Sequence, residues 1–569
     1  TMLEHATGTA KRASENAAAF GCAEIGRIAG KYHDTGKYGY GFQARLYGSG
    51  EPYEHSAAGM RLFLDAMQKT NVRARKFTAI LLAYIVAGHH TGLPDYGSNA
   101  STENDATIAA KAKRLQSRPN DWEAYKEELG EVSEIPPLEA AFIPSGNDWT
   151  RNGWYSYQFL GRMLFSSLVD ADFLDTEEFM SNGAIERDAG APFPVLMERF
   201  EAYMTKFAGK KGKLNENRQK ILQACKDAAA GEQGLYRLTV PTGGGKTLSS
   251  LRFALAHGKK WNKSRIIFTS PLLAILDQNA EIIRNYVGDD SLILEVHSNM
   301  GEPDETPERL RELDLLAENF NSPIVITTLV QLLNACFSGK PSSIRRFHAL
   351  CNSVIVIDEV QTVPSKMLTL FNLAVNFLSE ICGATVVLCS ATQPCLENTF
   401  HSLSKKPIDI VPWSVSLWNV FKRTEIQNAG TVRLEEIPRI VQAVLEECSS
   451  LLVVCNTKTE AAFLFEALDH TQHLCFHLSA AMCMEHRRQT LHRLQEALDD
   501  HSAPRPKVVC ISTQVIEAGV DISFQQVIRF SAGMDSVVQA AGRCNRHAEQ
   551  NIPAPVRVIR CADEQLRFL

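Results

Sequence analysis

The pattern of apolar residues divides the chain into two parts with different predicted structure. From residue 5 to about residue 207 the sequence is rich in Ala and Leu and contains few β-branched runs. Continuous apolar stretches such as residues 77–87 and 159–168 have the length of buried helices rather than of strands. We therefore expect an all-helical domain at residues 1–207.

The second part alternates short β-branched runs with helical stretches. The first series of predicted strands covers residues 235–240, 266–269, 324–327, 354–357 and 386–389. After a polar connection around residues 405–423, a second series covers residues 451–455, 508–512 and 527–530. Such alternation is typical of a parallel sheet flanked by helices. The predicted fold class is therefore multidomain α and α/β. Two tandem α/β lobes are expected at residues 208–404 and 405–569, with residues 209–217 as the linker before them.

The composition bears on two questions: how the chain can bind a polyanion, and in which compartment it is expected. The formal net charge over 569 residues is −6, so nucleic-acid binding must rely on local basic surfaces. Fourteen cysteines are scattered without a CxxC pair or a secretory signal, which favours reduced thiols and a cytoplasmic location. The longest apolar run, residues 77–87, is shorter than the roughly 20 residues that span a bilayer. No membrane anchor is therefore expected.

A glycine-rich motif, PTGGGKT at residues 241–247, lies between a predicted strand and a predicted helix. Glycines in that position let backbone N–H groups surround phosphates at a helix N-terminus. Lys246 is expected to reach the β- and γ-phosphates of ATP, and Thr247 to bind Mg²⁺. The alternative is a glycine-rich turn without a ligand. The predicted nucleotide contacts in the motif are Thr242, Gly243, Gly244, Gly245, Lys246 and Thr247.

Two further motifs are compatible with nucleotide hydrolysis. Asp358 and Glu359 follow the predicted strand 354–357, which places them at the sheet edge where nucleotide crevices form. Asp358 is expected to hold Mg²⁺ through water, and Glu359 to polarise the attacking water. Arg543 and Arg546 are three residues apart, so on a helix they would share a face and reach a developing phosphoryl charge. An exposed helix with surface arginines is the alternative interpretation.

These blocks, in this order, resemble the superfamily 2 helicases over residues 215–546. The resemblance implies two RecA-like lobes with parallel sheets that hydrolyse ATP between them while a nucleic-acid strand runs across both. It also implies an adenine contact from Gln219 and a nucleotide contact from Asp521, which ends the motif at residues 514–521. The residues that it places on the strand backbone are Ser270, Pro271, Thr327, Thr328 and Thr513. Such contacts carry no sequence information.

Histidines and aspartates in the first part form a pattern that suits metal binding. His33 and Asp34 are adjacent and could share one ion, with Asp34 bridging to a second. Imidazole and carboxylate together favour a first-row transition metal over Mg²⁺. Each histidine alone has a simpler interpretation as a hydrogen-bonded structural residue. Asp170 competes with Asp172 for the last carboxylate position, and we favour Asp172.

The order of these residues resembles the HD-superfamily metal phosphohydrolases over residues 5–172. The resemblance implies two divalent ions, with Mn²⁺, Ni²⁺, Co²⁺ or Fe²⁺ as candidates, that together promote an in-line phosphodiester displacement. Lys37 would neutralise the scissile phosphate beside the catalytic Asp34. The implied ligands of the first ion are His5, His33, Asp34 and Asp172. Those of the second ion are Asp34, His55, His89 and His90.

An HD domain ahead of a superfamily 2 helicase resembles the CRISPR-associated helicase-nucleases of type I interference systems. That resemblance implies an HD nuclease at residues 1–207, recruited by an RNA-guided surveillance complex that carries an R-loop. It also implies nicking of the displaced strand and ATP-driven, 3′→5′ degradation of single-stranded DNA by a monomer. The family usually continues into an accessory C-terminal domain, whereas this chain ends at Leu569. Two alternatives stay open: an HD nucleotide phosphohydrolase with a regulatory helicase-like ATPase, and a remodelling motor with an inert HD domain.

Overall fold

The structure of the protein is a computed structural model. The residues that it describes are 1–48, 54–98, 100–116, 121–132, 134–144, 153–181, 193–207, 209, 212–271, 273–296, 316–412, 414–468, 470, 472–500, 507–517, 520, 522–546, 550 and 552–563. Within these ranges, no helix has the combined length and apolar character that a membrane span requires.

The first 181 residues form helices, apart from one isolated bridge between Asp95 and Thr107 in the described ranges. The two long apolar stretches of the sequence lie inside Arg73–Gly88 and Trp154–Met180. The α-helices are Met2–Ala18, Ala23–Tyr32, Tyr40–Leu46, Ser56–Lys69, Arg73–Gly88, Ile108–Gln116, Tyr125–Leu129 and Trp154–Met180, with 3-10 turns at Thr35–Tyr38 and Ala140–Phe142.

A seven-stranded sheet follows, with the order β3-β4-β2-β5-β6-β1-β7. Its strands are β1 (Leu235–Thr239), β2 (Arg265–Ser270), β3 (Ile293–Val296), β4 (Ile324–Thr328), β5 (Ser353–Ile357), β6 (Thr385–Ser390) and β7 (Ile408–Asp409). The α-helices of this first lobe are Phe193–Met204, Lys213–Ala228, Lys246–Trp261, Leu273–Val287, Leu329–Phe337, Pro341–Ile344, Leu368–Glu380 and Val415–Val420.

The second lobe contains a six-stranded sheet with the order β10-β11-β9-β12-β13-β8. Its strands are β8 (Thr424–Val432), β9 (Ser450–Val454), β10 (Leu474–Leu478), β11 (Val508–Ser512), β12 (Gln526–Phe530) and β13 (Ala554–Cys561). Its α-helices are Ile437–Glu447, Lys458–Ala467, Met484–Asp499 and Met534–Ala541. Every strand pairing in the described parts of both sheets is parallel. The predicted fold class, a helical part followed by two α/β lobes, is confirmed.

The segments between these parts pack differently from the sequence-based expectation. Helix Phe193–Met204 falls inside the predicted helical domain, but its Phe193 and Phe200 are buried in the core of the first lobe. Residues 213–217 of the predicted linker already form the first turn of helix Lys213–Ala228. At the other end, β7 pairs with β1, so residues 408–409 belong to the first sheet. The change from one sheet to the other therefore lies between Asp409 and Thr424.

The helical part and the first lobe share one continuous hydrophobic core. Phe159, on helix Trp154–Met180, contacts three rings of the lobe, and its ring centroid lies 5.0 Å from Phe377 and 5.4 Å from Phe337. Burial of large aromatic rings dominates the energetics of such contacts. Helix Trp154–Met180 is therefore held against the lobe along its length.

A buried histidine in the first lobe predicts acid sensitivity. His257 is fully buried, with Nδ1 3.0 Å from the Ala229 carbonyl and Nε2 2.9 Å from Thr385 Oγ1. Burial lowers the pKa of His257 to about 4, so the folded protein holds it neutral where the unfolded chain, with a pKa near 6.5, takes up a proton. The stabilisation is therefore present above pH ~6.5 and is lost as the pH falls towards about 4. We expect the urea concentration at the unfolding midpoint to fall as the pH is lowered over this window, and to fall less in His257→Gln. If the midpoint depended on pH equally in both proteins, His257 would not be the source of the acid sensitivity.

Candidate metal centre and nucleotide cleft

Asp34 lies at the middle of a histidine cluster in the helical part. Its Oδ2 is 3.4 Å from His5 Nε2 and 3.3 Å from His33 Nε2. Its Oδ1 is 3.3 Å from His55 Nε2 and 3.5 Å from His89 Nε2. The two oxygens of one carboxylate thus face two different groups of imidazoles, which is the geometry of a carboxylate that bridges two ions.

The remaining predicted ligands complete the two groups. Asp172 comes from helix Trp154–Met180, and its Oδ1 is 3.2 Å from His5 Nε2 and 3.5 Å from His33 Nε2. His90 Nε2 is 2.8 Å from His55 Nε2 on the other side. The structure therefore brings together all seven predicted ligands, which are His5, His33, Asp34, His55, His89, His90 and Asp172.

The buried donor atoms fit a divalent cation. Asp34 Oδ1, His33 Nε2 and His89 Nε2 are buried without a hydrogen-bond partner, while Asp34 Oδ2 contacts Lys37 Nζ. Buried polar atoms nearly always have a partner, so three such atoms that converge on one point fit a bound cation. The opposite ring nitrogens are fixed: His33 Nδ1 lies 2.8 Å from the Gly30 carbonyl and His89 Nδ1 lies 2.7 Å from the Val86 carbonyl. Because a carbonyl only accepts, each Nδ1 carries a proton, and each Nε2 is the ring atom that faces the centre and is available to a metal ion.

The nitrogen and carboxylate oxygen atoms of the cluster also lie close enough together to share metal ions. In each of three overlapping groups, one ligand atom per residue lies within 4.8 Å of the others. All three groups contain a carboxylate and at least two imidazoles, a donor set that suits first-row transition metals. The groups are Asp34 with His55, His89 and His90; His5, His33 and Asp34; and His33, His89 and Asp172.

The two sides of Asp34 differ in electrostatics. Burial lowers the pKa of His5, but contacts with Asp172 and Asp34 outweigh it and raise the pKa to about 9. Burial also lowers the pKa of His33, but the Asp34 charge and contacts with Asp172 and Asp34 outweigh it and raise the pKa to about 10. On the other side, burial lowers the pKa of His55 to about 3 and of His90 to about 4. One side is therefore negative enough to attract cations, and the other presents neutral imidazoles.

Three further residues bear on the cluster, and only Asp175 among them was not predicted from the sequence. Asp175 was missed, although its Oδ2 lies 2.7 Å from His5 Nδ1 and fixes that ring. The available signal was its spacing, one helical turn after Asp172 on the same face. Lys37 Nζ contacts Asp34 Oδ2, so its charge stands at the cluster, as its predicted role requires. Asp170 instead pairs with Arg345 of the first lobe, 2.7 Å away.

The Asp175 contact makes a specific prediction. A carboxylate that orients a ligating imidazole typically contributes a factor of about 10–100 to metal affinity. We expect Asp175→Asn to weaken Mn²⁺ binding by about that factor, as measured by isothermal titration calorimetry. Glu178→Gln is the matched control, because Glu178 is on the same helix and pairs with Arg12 instead. Equal Mn²⁺ affinity in Asp175→Asn and in the unmodified protein would refute the role of Asp175.

The glycine-rich motif forms a loop between β1 and helix Lys246–Trp261. Gly243 and Gly245 have φ of 80° and 83°, a conformation that residues with a side chain rarely adopt. Lys246 Nζ is 2.7 Å from Asp358 Oδ1 and also contacts Glu359 Oε1. These acids follow β5, and although burial lowers the pKa of Lys246, the two carboxylates raise it overall. A charged lysine thus stands beside two acids at the carboxyl edge of the first sheet.

This lysine opens onto a cleft of about 450 Å³ between the two lobes. Thr242, Lys246 and Thr247 line it from the first lobe, and Thr247 Oγ1 donates to Asn279 Oδ1 at 2.9 Å. Cavities of this size hold small ligands and cofactors. The predicted nucleotide residues that line the cleft are Thr242, Gly243, Gly245, Lys246, Thr247, Asp358, Glu359, Arg543 and Arg546.

The prediction that Arg543 and Arg546 share a helix face is wrong. Helix Met534–Ala541 ends before both residues, and Asn545 has a positive φ of 47°. The Phe524 N–H donates to the Arg543 carbonyl at 2.9 Å and the Asn545 N–H donates to the Phe524 carbonyl at 2.8 Å, which replaces helical hydrogen bonds. The Arg543 guanidinium itself donates to the carbonyls of Ile516 and Glu517.

Two arginines that carry no motif signal also reach the loop. Arg423 Nη2 donates to the Thr242 carbonyl at 2.6 Å, and its Nη1 donates to the Arg546 carbonyl. Arg218 Nε donates to the Gly243 carbonyl at 2.9 Å. Arg423 therefore links the first lobe's loop to the second lobe directly. Neither arginine belongs to a recognisable sequence motif, so neither was predicted from the sequence.

Gln219 lies beside the loop, outside the main cleft. It lines a neighbouring cavity of about 170 Å³ with Phe207, Gly244 and Gly245. Asp521 lies outside the described residues. The adenine contact of Gln219 and the nucleotide contact of Asp521 stay predictions.

The residues expected on the nucleic-acid strand lie at the carboxyl ends of β2, β4 and β11. Thr327 is fully buried and its hydroxyl donates to the Val296 carbonyl at 2.8 Å, so this side chain is not presented to a strand. Thr328 caps the next helix through the Gln331 N–H. The strand contacts of Thr328, Ser270, Pro271 and Thr513 stay predictions.

Comparison with known proteins supplies independent information on the α/β part. The DEAD/DEAH box helicase family model matches residues 219–399. The family model described as CRISPR-associated nuclease/helicase Cas3, C-terminal, matches residues 447–549. These two matches cover parts of both α/β lobes and leave residues 1–218, 400–446 and 550–569 outside.

Individual relatives extend the similarity to the remaining residues. A CRISPR-associated nuclease/helicase Cas3 from Haloferax volcanii is 22% identical over 92% of this chain and 71% of its own length. The crystal structure of T. fusca Cas3 with AMPPNP has a TM-score of 0.70 at 18% identity, covering 100% of this chain and 74% of that one. A chain of a CRISPR RNA-guided surveillance complex in a pre-nicking state has a TM-score of 0.64 at 19% identity, covering 100% and 72%. The curated relatives and the family match at residues 447–549 thus make the chain similar to CRISPR-associated nuclease/helicase Cas3 proteins, and the match at residues 219–399 adds similarity to DEAD/DEAH box helicases.

Proposed function

We propose that the chain couples an ATP-driven single-stranded DNA translocase to a metal-dependent nuclease that degrades invading DNA. The single observation that carries the nuclease half is the buried Asp34 carboxylate, whose two oxygens face two different sets of imidazoles. The motor half rests on the helicase family and on the cleft that holds Lys246, Asp358 and Glu359.

In the helical part, one divalent ion would be held by His5, His33, Asp34 and Asp172, and a second by Asp34, His55, His89 and His90. Such ions supply charge stabilisation for the oxygens of a phosphodiester and lower the pKa of a coordinated water. Asp175 orients the His5 ring, and the Gly30 and Val86 carbonyls orient His33 and His89. Lys37 lies close enough to Asp34 to bind the non-bridging oxygen of a DNA phosphate entering the cluster.

In the cleft, Lys246 is ion-paired with Asp358 and Glu359. ATP phosphates would compete for the lysine charge and release both carboxylates. Thr247 and Asp358 would hold Mg²⁺, and Glu359 would orient the attacking water. Arg543 and Arg546 approach from the second lobe, so hydrolysis would change the contacts between the lobes and move a bound strand.

The proposed partners are single-stranded DNA and an RNA-guided surveillance complex that presents an opened target. Similarity to a chain in the pre-nicking complex supports this assignment. The net charge of −6 repels free DNA at long range. We therefore expect the DNA to be delivered by the surveillance complex.

Substrate class separates this proposal from a nucleotide phosphohydrolase. Purified protein is incubated with Mn²⁺ and either circular single-stranded DNA or free deoxynucleotides. We expect linearised and shortened DNA, with deoxynucleotides left intact. Hydrolysis of deoxynucleotides with intact circles would contradict the nuclease assignment.

A further inference from the structure

Helix Trp154–Met180 presents two acidic residues to opposite sides. Successive residues of an α-helix are rotated by about 100°, so Asp170 and Asp172 point about 200° apart. Asp172 faces the imidazole cluster, 3.2 Å from His5 Nε2. Asp170 faces the first helicase lobe and is only 2% exposed. The turn that carries a predicted metal ligand is therefore also a contact between the two halves of the protein.

Asp170 is held by three residues of the first lobe. Arg345 Nε donates to Asp170 Oδ1 at 2.7 Å, and Asn319 Nδ2 donates to the same oxygen at 3.2 Å. His348 Nε2 lies 3.4 Å from Asp170 Oδ2. Arg345 is itself 2% exposed, so this ion pair is shielded from solvent and both groups are fixed. A buried pair of this kind tolerates little displacement of either partner.

Arg345 contacts the helix a second time. Its guanidinium carbon lies 4.9 Å from the centre of the Phe173 ring, within the range of a cation–π contact. Asp170 and Phe173 are three residues apart and share a helix face. Asp172 lies between them in sequence, so Arg345 restrains the turn on both sides of this residue.

We propose that Arg345 of the first helicase lobe is a positioning residue for the metal centre of the helical part. It fixes the rotation of the turn at residues 170–173, and thereby the position of the Asp172 carboxylate relative to His5 and His33. The metal centre is thus completed by a residue of the motor. This inference rests on the proposed nuclease function, because it assigns a role within that site.

The test uses the full chain and a neutral replacement of the pair, Asp170→Asn with Arg345→Gln, which avoids an unpaired buried charge. Arg345→Lys is the conservative variant, since it keeps the charge but loses the planar guanidinium. Arg162→Gln is the matched control: Arg162 lies on the same helix and donates to the Phe337 and Ser338 carbonyls of the same lobe. Mn²⁺ affinity, ATP-independent cleavage of circular single-stranded DNA, DNA-stimulated ATP hydrolysis and the melting temperature are measured for each protein.

We expect the double variant to bind Mn²⁺ about 10–100-fold more weakly and to cleave correspondingly less, with ATP hydrolysis unchanged. Arg345→Lys should fall between it and the unmodified protein, and Arg162→Gln should bind Mn²⁺ normally even if its melting temperature falls. Normal Mn²⁺ affinity in the double variant, or an equal loss in Arg162→Gln, would overturn the positioning role. Failure of the unmodified protein to bind Mn²⁺ and cleave would instead overturn the proposed function, and the inference with it.

Discussion

Asp34→Ala is expected to lose both metal ions and all metal-dependent cleavage. Asp34 contributes one oxygen to each side of the cluster, so its removal takes a ligand and a negative charge from both ions at once. Loss of a partner that only orients a ligand already costs about 10–100-fold in metal affinity, and loss of a shared ligand should cost more. Equilibrium dialysis with Mn²⁺ should show binding falling from two ions per chain to none. DNA cleavage should fall by at least about a hundredfold.

Two variants show whether the loss is due to bridging. Asp34→Asn keeps the shape of the buried side chain and should show the same loss, which excludes a packing defect. His5→Ala should lose the ion on its own side and retain the other, because His5 contacts only the Asp34 oxygen that faces His33 and Asp172. Retention of two ions by Asp34→Ala, or loss of both in His5→Ala, would contradict a bridging carboxylate.

Lys246→Ala is expected to abolish ATP hydrolysis and leave the metal centre intact. Lys246 is the cation that Asp358 and Glu359 surround at the cleft, and phosphates need its charge when they bind there. Removal of one preorganised group that stabilises transition-state charge typically costs a factor of about 10²–10³ in turnover. We expect phosphate release in the presence of single-stranded DNA to fall at least that far.

Lys259→Ala is the control for this variant, because Lys259 lies on the same helix and is exposed. It should hydrolyse ATP at the normal rate. Lys246→Ala should still cut circular DNA with Mn²⁺ in the absence of ATP, since the metal centre lies in the helical part. Loss of this ATP-independent cutting would show that the two sites are not separable.

Most central strands of the two sheets were accessible from sequence, whereas β3, β7, β8, β10 and β13 were not predicted. Central strands such as β5 and β9 are fully buried and, after an initial Ser, consist of apolar residues, so composition alone marks them. β8 reads TEIQNAGTV, is exposed along most of its length and lies at the edge of its sheet. β7 has only two residues and is defined by its pairing with β1. Edge strands owe their conformation to a neighbour, which sequence periodicity does not report.

The candidate sites show the same division. The order of histidines and aspartates indicated seven residues that the structure brings together. Six of them lie at or near helix ends, and Asp172 lies within helix Trp154–Met180. Asp175, Arg345 and Arg423 were missed, since their contacts join residues far apart in the chain. The prediction that Arg543 lies on a helix was wrong, because backbone pairing of Arg543 and Asn545 with Phe524 replaces the helical hydrogen bonds after Gly542.

The decisive measurement for two separable sites is cleavage of labelled circular single-stranded DNA with Mn²⁺, with and without ATP. Asp34→Ala and Lys246→Ala are compared with the unmodified protein. We expect Lys246→Ala to nick the circle without ATP but to fail to degrade it further when ATP is added. Asp34→Ala should leave the circle intact while hydrolysing ATP at the normal rate. Metal-dependent cleavage by Asp34→Ala, or no cleavage by any of the three proteins, would contradict a nuclease centred on Asp34 beside an independent motor.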